Sequence, residues 1–326
     1  MTAAFSIFGT LTGCIGSMTC VEYLAKQQPT SMNLLTFSTF LFITIEGLIF
    51  TSRFLTVKNQ IPLKAYIPVV IVFFLANWIN NQALNFHVPV PLHIIFRSGS
   101  LLTNLLMNRF YLGRTYTPKK YVSVVAITLG IIICTLADAY AKDSTESKLT
   151  LEEAEKHFFE WSIGIFLLIA ALVITSYLAI VQESLYSRFG KHPREVMFYT
   201  HALSLPFFAL FGADIYRNML LFNHSPALSF LGVSTGIPTL WLNLLGACIG
   251  QWVCILFVYR LNSEVDSLTV TLVVTLRKFL SLLISIFWFG NVFTFFHWVG
   301  AFLVFGGTIY FSDFNTSKSK PKPKKE

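Results

Sequence analysis

Apolar residues come in stretches close to twenty long, separated by short polar and basic segments, and the pattern recurs ten times, at about 3–23, 34–52, 66–86, 90–112, 121–139, 161–181, 196–214, 238–259, 267–288 and 296–313. A helix of about 20 residues crosses the roughly 30 Å of a bilayer's hydrocarbon. The pattern therefore predicts an all-α polytopic membrane protein of ten transmembrane helices. Met1 to Tyr23 lacks a basic leading segment and reads as the first span rather than a cleaved signal. With 54% hydrophobic and 12% charged residues, the chain is excluded from the ordinary soluble classes. Cys14, Cys20, Cys134, Cys248 and Cys254 all fall inside apolar runs, so they read as small packing residues and no disulfide framework is expected.

The longest interruption, about 140–160, is polar and acidic (Glu146, Glu152, Glu153, Glu155, Glu160) and divides the chain in the middle. Five spans on each side is an odd number, so the second half must enter the membrane upside down relative to the first, as in inverted-repeat transporters. The expected organisation is a first five-helix repeat over 1–139, an acidic linker over 140–160, a second five-helix repeat over 161–313 and a disordered basic tail over 314–326. A short internal match agrees: Gly113-Arg-Thr-Tyr-Thr117 and Gly290-Asn-Val-Phe-Thr294 both place aromatic-Thr after the glycine, and each glycine is followed seventeen residues later by another, Gly130 and Gly307.

Charge orients the chain. If both termini are cytosolic, sixteen of the 24 Lys and Arg residues lie in cytosolic loops and the tail, five lie in the opposite loops, and three, Arg97, Arg277 and Lys278, lie inside spans. This asymmetry predicts cytosolic termini, and it explains the net charge of +8 without nucleic-acid binding.

The three intramembrane cations are the chemistry to explain. A basic residue at the centre of a membrane helix costs about 2.5–3.5 kcal/mol on insertion scales, so Arg277 and Lys278 in succession should face a wet, protein-walled cavity rather than lipid. Thr271, Thr275, Lys278, Ser281 and Ser285 recur at helical spacing and form one polar stripe. His93, Arg97, Ser100, Asn104 and Asn108 do the same in the fourth span, and the third contributes Asn77, Asn80, Asn81 and Asn85. Cations beside amides suit a ligand with phosphates, hydroxyls and a base. The candidate substrate-binding set is Arg277, Lys278, Arg97, Asn80, Asn81, Asn77, Ser281, Asn104, Gln251 and Glu46. Two plainer readings compete with it: amides can simply join neighbouring helices, and the cations can pair with the buried acids Glu22 and Glu46, although three cations against two acids leave one positive charge over. No metal-ligand cluster, glycine-rich phosphate loop or cofactor motif occurs, so the sequence points away from an enzyme and implies no cofactor.

Four strings carry a resemblance: TLVVTLRKFLSLLISIFWFGNVFTFFHWVGAFLVFGGT (271–308), PLHIIFRSGSLLTNLL (91–106), NNQALN (80–85) and QESLYSRFGKHPREVMFYTHALSLP (182–206). Together they resemble the nucleotide-sugar transporter family of the drug/metabolite transporter superfamily, closest to its UDP-N-acetylglucosamine and UDP-xylose branch. The resemblance implies two inverted five-helix repeats exchanging a cytosolic UDP-sugar for lumenal UMP across the endoplasmic reticulum or Golgi membrane. It further implies that Arg277 and Lys278 hold the nucleotide phosphates, with a weaker carry-over to Arg97. A carrier of another phosphorylated solute, such as ATP/ADP or a nucleotide sulfate, is the alternative. Oligomeric state is not legible.

The chain ends SKSKPKPKKE, with Lys322 and Lys324 at the KxKxx spacing of a dilysine signal read by coat machinery on the cytosolic side. A generic basic tail drawn to anionic lipid is the plainer reading, at about 1 kcal/mol per residue. Changing Lys322 and Lys324 to Ser is expected to move the protein forward from the endoplasmic reticulum in imaging of intact cells while leaving reconstituted transport unchanged; unaltered localisation would refute the signal.

Overall fold

A computed structural model describes residues 3–86, 88–113, 116–146, 151–190, 192–230, 233–264 and 267–311. Each apolar run is helical: α1 (Ala3–Gln27), α2 (Met32–Glu46, continued by a π turn over Gly47–Thr51), α3 (Leu63–Gln82), α4 (Val90–Ser98), α5 (Ser100–Leu112), α6 (Pro118–Glu146), α7 (Leu151–Phe189), α8 (Pro193–Ser204), α9 (Gly212–Asn223), α10 (Thr239–Glu264), α11 (Ser267–Phe287) and α12 (Phe295–Phe311). Among the described residues, seven helical stretches are long and apolar enough to cross a membrane, and α12 is a shorter apolar helix.

Two of the expected spans are broken. The fourth divides at Ser98–Gly99 into α4 and α5. The seventh divides into α8 and α9 around a tighter 3-10 segment, Leu205–Phe211, which begins with Leu205-Pro206. Proline removes a backbone donor and crowds the preceding turn, which explains the second break.

The region 140–160 is less of a loop than expected. Helix α6 runs on to Glu146 and α7 starts at Leu151, because alanines and glutamates there are good helix formers even where apolar residues stop. At 39 residues α7 is roughly 58 Å long by its rise per residue, well beyond a bilayer's core. A small antiparallel hairpin of β1 (Ala227–Phe230) and β2 (Val233–Pro238), which the pattern of apolar runs does not predict, joins α9 to α10. Phe54 and its neighbours Arg53 and Leu55 all have left-handed backbones (φ 57, 44 and 64), in a turn closed by the Thr56 hydroxyl donating to Arg53 O at 2.6 Å. The tail carrying Lys322 and Lys324 lies outside the described residues.

Packing follows a regular scheme. Helix α1 lies along α10 and α3 along α7; α11 meets α1 as α5 meets α7; α2 meets α10 as α8 meets α3; and α2 pairs with α8, α4 with α11, and α6 with α12. The α1–α10 seam is made of small residues at four-residue spacing, Gly9, Gly13 and Ser17 against Gly246, Gly250 and Cys254, an arrangement that lets membrane helices approach closely. A Cβ at Gly250 would stand 2.9 Å from Ser17 N and 3.0 Å from Gly13 O, and the Ser17 hydroxyl donates to Ala247 O at 3.0 Å.

This seam corrects the reading of the cysteines. Cys14 and Cys254 form a disulfide with Cα atoms 4.6 Å apart, because the small-residue approach brings their backbones within bonding reach. Cys134 and Cys248 lie outside the disulfide and are buried, as packing residues should be.

The glycines of the internal match have matching roles. Gly113 and Gly290 both take left-handed backbones, φ +59 and +64. Gly130 and Gly307 both lie in the α6–α12 interface, where a Cβ at Gly130 would come within 2.6 Å of Gly300 O and one at Gly307 within 3.1 Å of Ser123 O. Since backbone atoms cannot rotate aside, Gly130→Ala is expected to destabilise the bundle by about 1–3 kcal/mol, the usual cost of overpacking, seen as a lower melting temperature in detergent.

Candidate functional site

The three intraspan cations meet where α4 ends. Its last turn carries Arg97, close to the one-residue break at Gly99, whose N–H bonds to Phe96 O before α5 resumes at Ser100. Lys278 of α11 donates to the Arg97 carbonyl at 3.3 Å. Arg277, beside it, donates to Cys254 Sγ at 3.2 Å. Arg97 is exposed although Phe96 and Ser98 on either side of it are buried, and Arg277 and Lys278 are partly exposed, so the three side chains border accessible space between packed helices.

Among the described residues no carboxylate pairs with them: neither Glu22 nor Glu46 forms a salt bridge, and Asp214 pairs instead with Arg217, at 3.6 Å. Glu22, 1% exposed, instead accepts from Ser285 Oγ and from Asn291 Nδ2, both at 2.6 Å, and Asn291 also donates to Ser285 O at 2.8 Å. Lys26, one turn after Glu22, donates to Phe289 O at 2.6 Å. These bonds clasp the end of α1 to the end of α11 without involving the cations.

The other candidates divide. Asn81 donates to Thr36 Oγ1 and to Met32 O at 3.4 Å, tying α3 to α2, whereas Asn77 donates within α3 to Phe73 O one turn back at 2.8 Å. Asn80 approaches the cationic site indirectly, since its carbonyl lies 3.3 Å from His93 Nε2 on α4, one turn before Arg97. Ser281 is buried on α11, one turn beyond Arg277 and Lys278. Gln251 is half-buried on α10. The side chains of Asn104, Thr271 and Thr275 lie outside the described residues.

Glu46 lies elsewhere. It borders a cavity of about 710 Å³ between α2, α8 and α10, lined also by Thr51, His192, Arg194, Glu195, Trp252 and Arg260. Sequence reasoning left most of this lining out, because Arg194, His192 and Arg260 read as loop charges. Glu195 of that lining is already committed: its carboxylate accepts from Gln60 N (3.1 Å), Ile61 N (3.0 Å) and Tyr66 Oη (3.1 Å), pinning the start of α8 to the segment before α3.

Comparison with known proteins bears on this geometry at family level. Residues 2–315 match the model of the UAA transporter family. The chain belongs to that family. It is 46% identical over 92% of its length to the endoplasmic reticulum GDP-fucose transporter of Drosophila melanogaster, covering 87% of that protein. It is 42% identical over 96% of its length to the UDP-xylose and UDP-N-acetylglucosamine transporter of Danio rerio, covering 94%, and 40% identical over 99% of its length to the nucleotide sugar transporter SLC35B4 of Homo sapiens, covering 98%. As a UAA transporter the chain is a multi-pass membrane protein of a nucleotide-sugar-transporting family, the class that the strings at 80–106, 182–206 and 271–308 indicated.

The clasp at Glu22 is open to measurement. Asn291→Leu would remove one of the two donors to the buried Glu22 Oε1, leaving that of Ser285, at a cost of about 1–3 kcal/mol. The expected result is a lower melting temperature of the purified UAA transporter in detergent, with Glu22→Gln partly restoring it.

Proposed function

We propose that this UAA transporter exchanges cytosolic UDP-N-acetylglucosamine or UDP-xylose for lumenal UMP. The observation that carries the proposal is the group of Arg97, Arg277 and Lys278, which border accessible space mid-span with a carbonyl and a sulfur as partners in place of carboxylates. A nucleoside diphosphate brings about two negative charges to such a site, so binding relieves an electrostatic cost that the empty carrier bears. Arg277 and Lys278 are assigned the phosphates, with Arg97, Asn80 and Ser281 bordering them. Exchange follows, since the bundle then reorients readily only when a nucleotide neutralises the cations. The chain needs no catalytic group for this and is read as a carrier, not an enzyme.

The same reading takes the fold as two inverted five-helix repeats. Numbering the spans one to ten, adding five exchanges the halves: the pair of spans one and eight (α1, α10) becomes six and three (α7, α3), nine and one becomes four and six, and two-seven, four-nine and five-ten map onto themselves. The packing scheme respects every one of these exchanges. Cytosolic termini rest on the loop charges, and residence in the endoplasmic reticulum or Golgi rests on the relatives and the terminal lysines. A GDP-sugar is a second reading, favoured by the 46% identity to a GDP-fucose transporter.

Lys278→Ala is expected to reduce UDP-sugar uptake into proteoliposomes by at least tenfold while purified protein stays folded at normal yield, because removing one of three like charges relieves strain. Loss of folded protein in place of activity would mean that the lysine is structural. Uptake as fast into empty vesicles as into UMP-loaded ones would overturn exchange.

A further inference from the structure

We infer that the clasp between the ends of α1 and α11 is the carrier's lumenal latch, which opens once in every exchange cycle and whose moving half is α11 with the link that follows it. The inference rests on the reading of the chain as a nucleotide-sugar carrier with cytosolic termini, which puts the ends of both helices on the lumenal side.

The latch is small and polar. Glu22 stands five residues before the end of α1, and its Oε1 accepts from Ser285 Oγ, two residues before the end of α11, and from Asn291 Nδ2 in the link to α12. Lys26, one turn further along α1, donates to Phe289 O at 2.6 Å and holds its ammonium group 5.3 Å from the centre of the Phe289 ring. Each of these contacts joins α1 to residues 285–291, so they break together when the end of α11 leaves α1. Their chemistry suits reversible opening. A permanent joint between membrane helices is made by close packing of small residues, as between α1 and α10. Here the joint is a carboxylate, a hydroxyl, an amide and an ammonium, all groups that water entering an opened cleft solvates, so that protein hydrogen bonds are exchanged for hydrogen bonds to water at small net cost. Glu22, 1% exposed with the latch shut, regains hydration when it opens.

The link after α11 leaves room for the movement. Residues 288–294 are not helical, and Gly290 among them has a left-handed backbone, φ +64. Trp288 and Val292 are 81% and 75% exposed, so the near part of the link is held to the bundle by Asn291 and the Phe289 carbonyl rather than by these apolar side chains. Phe293, next to α12, packs against the buried cluster and anchors the far end.

One half of the latch is fixed and the other is tied to the cations. Helix α1 is held to α10 by a disulfide and close glycines. Helix α11 carries Lys278 seven residues before Ser285, two turns and roughly 10 Å along the same side of one helix. An anion that replaces the Arg97 carbonyl as partner of Lys278 therefore acts on the same rod that carries the latch donor.

The test bridges the latch. In the full chain, Lys26→Cys and Phe289→Cys are joined in detergent by a short bis-methanethiosulfonate reagent, and UDP-N-acetylglucosamine uptake into UMP-loaded proteoliposomes is compared for the unbridged chain, the bridged chain, and the bridged chain after a thiol removes the bridge. Bridging should cut uptake at least tenfold while UMP binding in detergent is kept, and the thiol should restore uptake; the unbridged chain treated with the same thiol controls for the Cys14–Cys254 bond. Undiminished uptake by the bridged chain overturns the latch, since a clasp that stays shut throughout the cycle tolerates a bridge. Should the double variant fail to fold, or the bridge abolish binding, Met18→Cys decides, because Met18 packs against the buried cluster of the α4–α11 seam one turn before Glu22. Asn291→Leu should speed alkylation at position 18 by a hydrophilic maleimide at least tenfold, read by mass spectrometry, and Gly130→Ala, which loosens the bundle elsewhere, should not. No acceleration, or the same acceleration in both, overturns the latch. Uptake that survives bridging ends this inference and leaves the carrier, while a clasp that opens in a chain without uptake of any UDP-sugar supports the latch and ends the carrier.

Discussion

Among the described residues Lys278, a cation in the middle of an apolar helix, has no acid to pair with, and the bundle is arranged around that constraint. The partner it has is a carbonyl, Arg97 O, next to the break between α4 and α5 at Gly99. A helix end contributes about 0.3–1 kcal/mol to a nearby cation, or about 2 in a partly buried setting, against the roughly 2.5–3.5 kcal/mol cost of one basic residue at a helix centre. With Arg277 and Arg97 adjacent the deficit grows. A dry, sealed site cannot close that gap, so the cations keep access to polar space, and the break in α4 is part of the site rather than a defect in a span.

The apolar packing divides accordingly. Leu92, Ile95 and Phe96 of α4 share one buried cluster with Leu282 of α11, with Ile286 packed against it, so the seam is closed on the side of the cations toward which α11 ends. Beyond that cluster the Glu22, Ser285 and Asn291 bonds close the same end again, between α11 and α1. Both closures stand at one end of the helices, while the large cavity stands at the other, where α8 begins. Apolar contacts and a buried carboxylate clasp thus do at one end what Glu195 does on a smaller scale at the other.

What the sequence could carry follows from where each feature is encoded. Spans are local, and the runs of apolar residues mark where the helices lie; Gly113 and Gly290, paired by their spacing, both have left-handed backbones. The cations were legible because charge in an apolar run is conspicuous. Helix pairing is non-local, which is why the Cys14–Cys254 bond was missed, although Gly9-xxx-Gly13 and Gly246-xxx-Gly250 were a readable sign that two helices approach closely. Asn77 and Asn81 read as ligand groups because an amide's partner is invisible in one dimension; in the structure Asn81 bonds across to α2 and Asn77 back within α3. Glu46 looked like its neighbours in the candidate set, yet the π turn after it and the packing of α8 put it on a different cavity.

Helix α10 borders both regions. Trp252, Leu256, Phe257 and Arg260 of the helix line the cavity, and the helix is fixed to α1 by backbone-close glycines, the Ser17 hydroxyl and a disulfide. Sliding α10 along α1 would drive Gly250 into Ser17 or strain a covalent bond, so this pair behaves as one wall. Arg277 lies against that wall through Cys254, whereas Lys278 reaches across to α4. Opening of the α4–α11 seam breaks the Lys278 contact as well as the apolar contacts of Leu92, Ile95 and Phe96 with Leu282 and Ile286. On the proposed reading, an anion that takes over from the Arg97 carbonyl as partner of Lys278 removes the polar part of that closure.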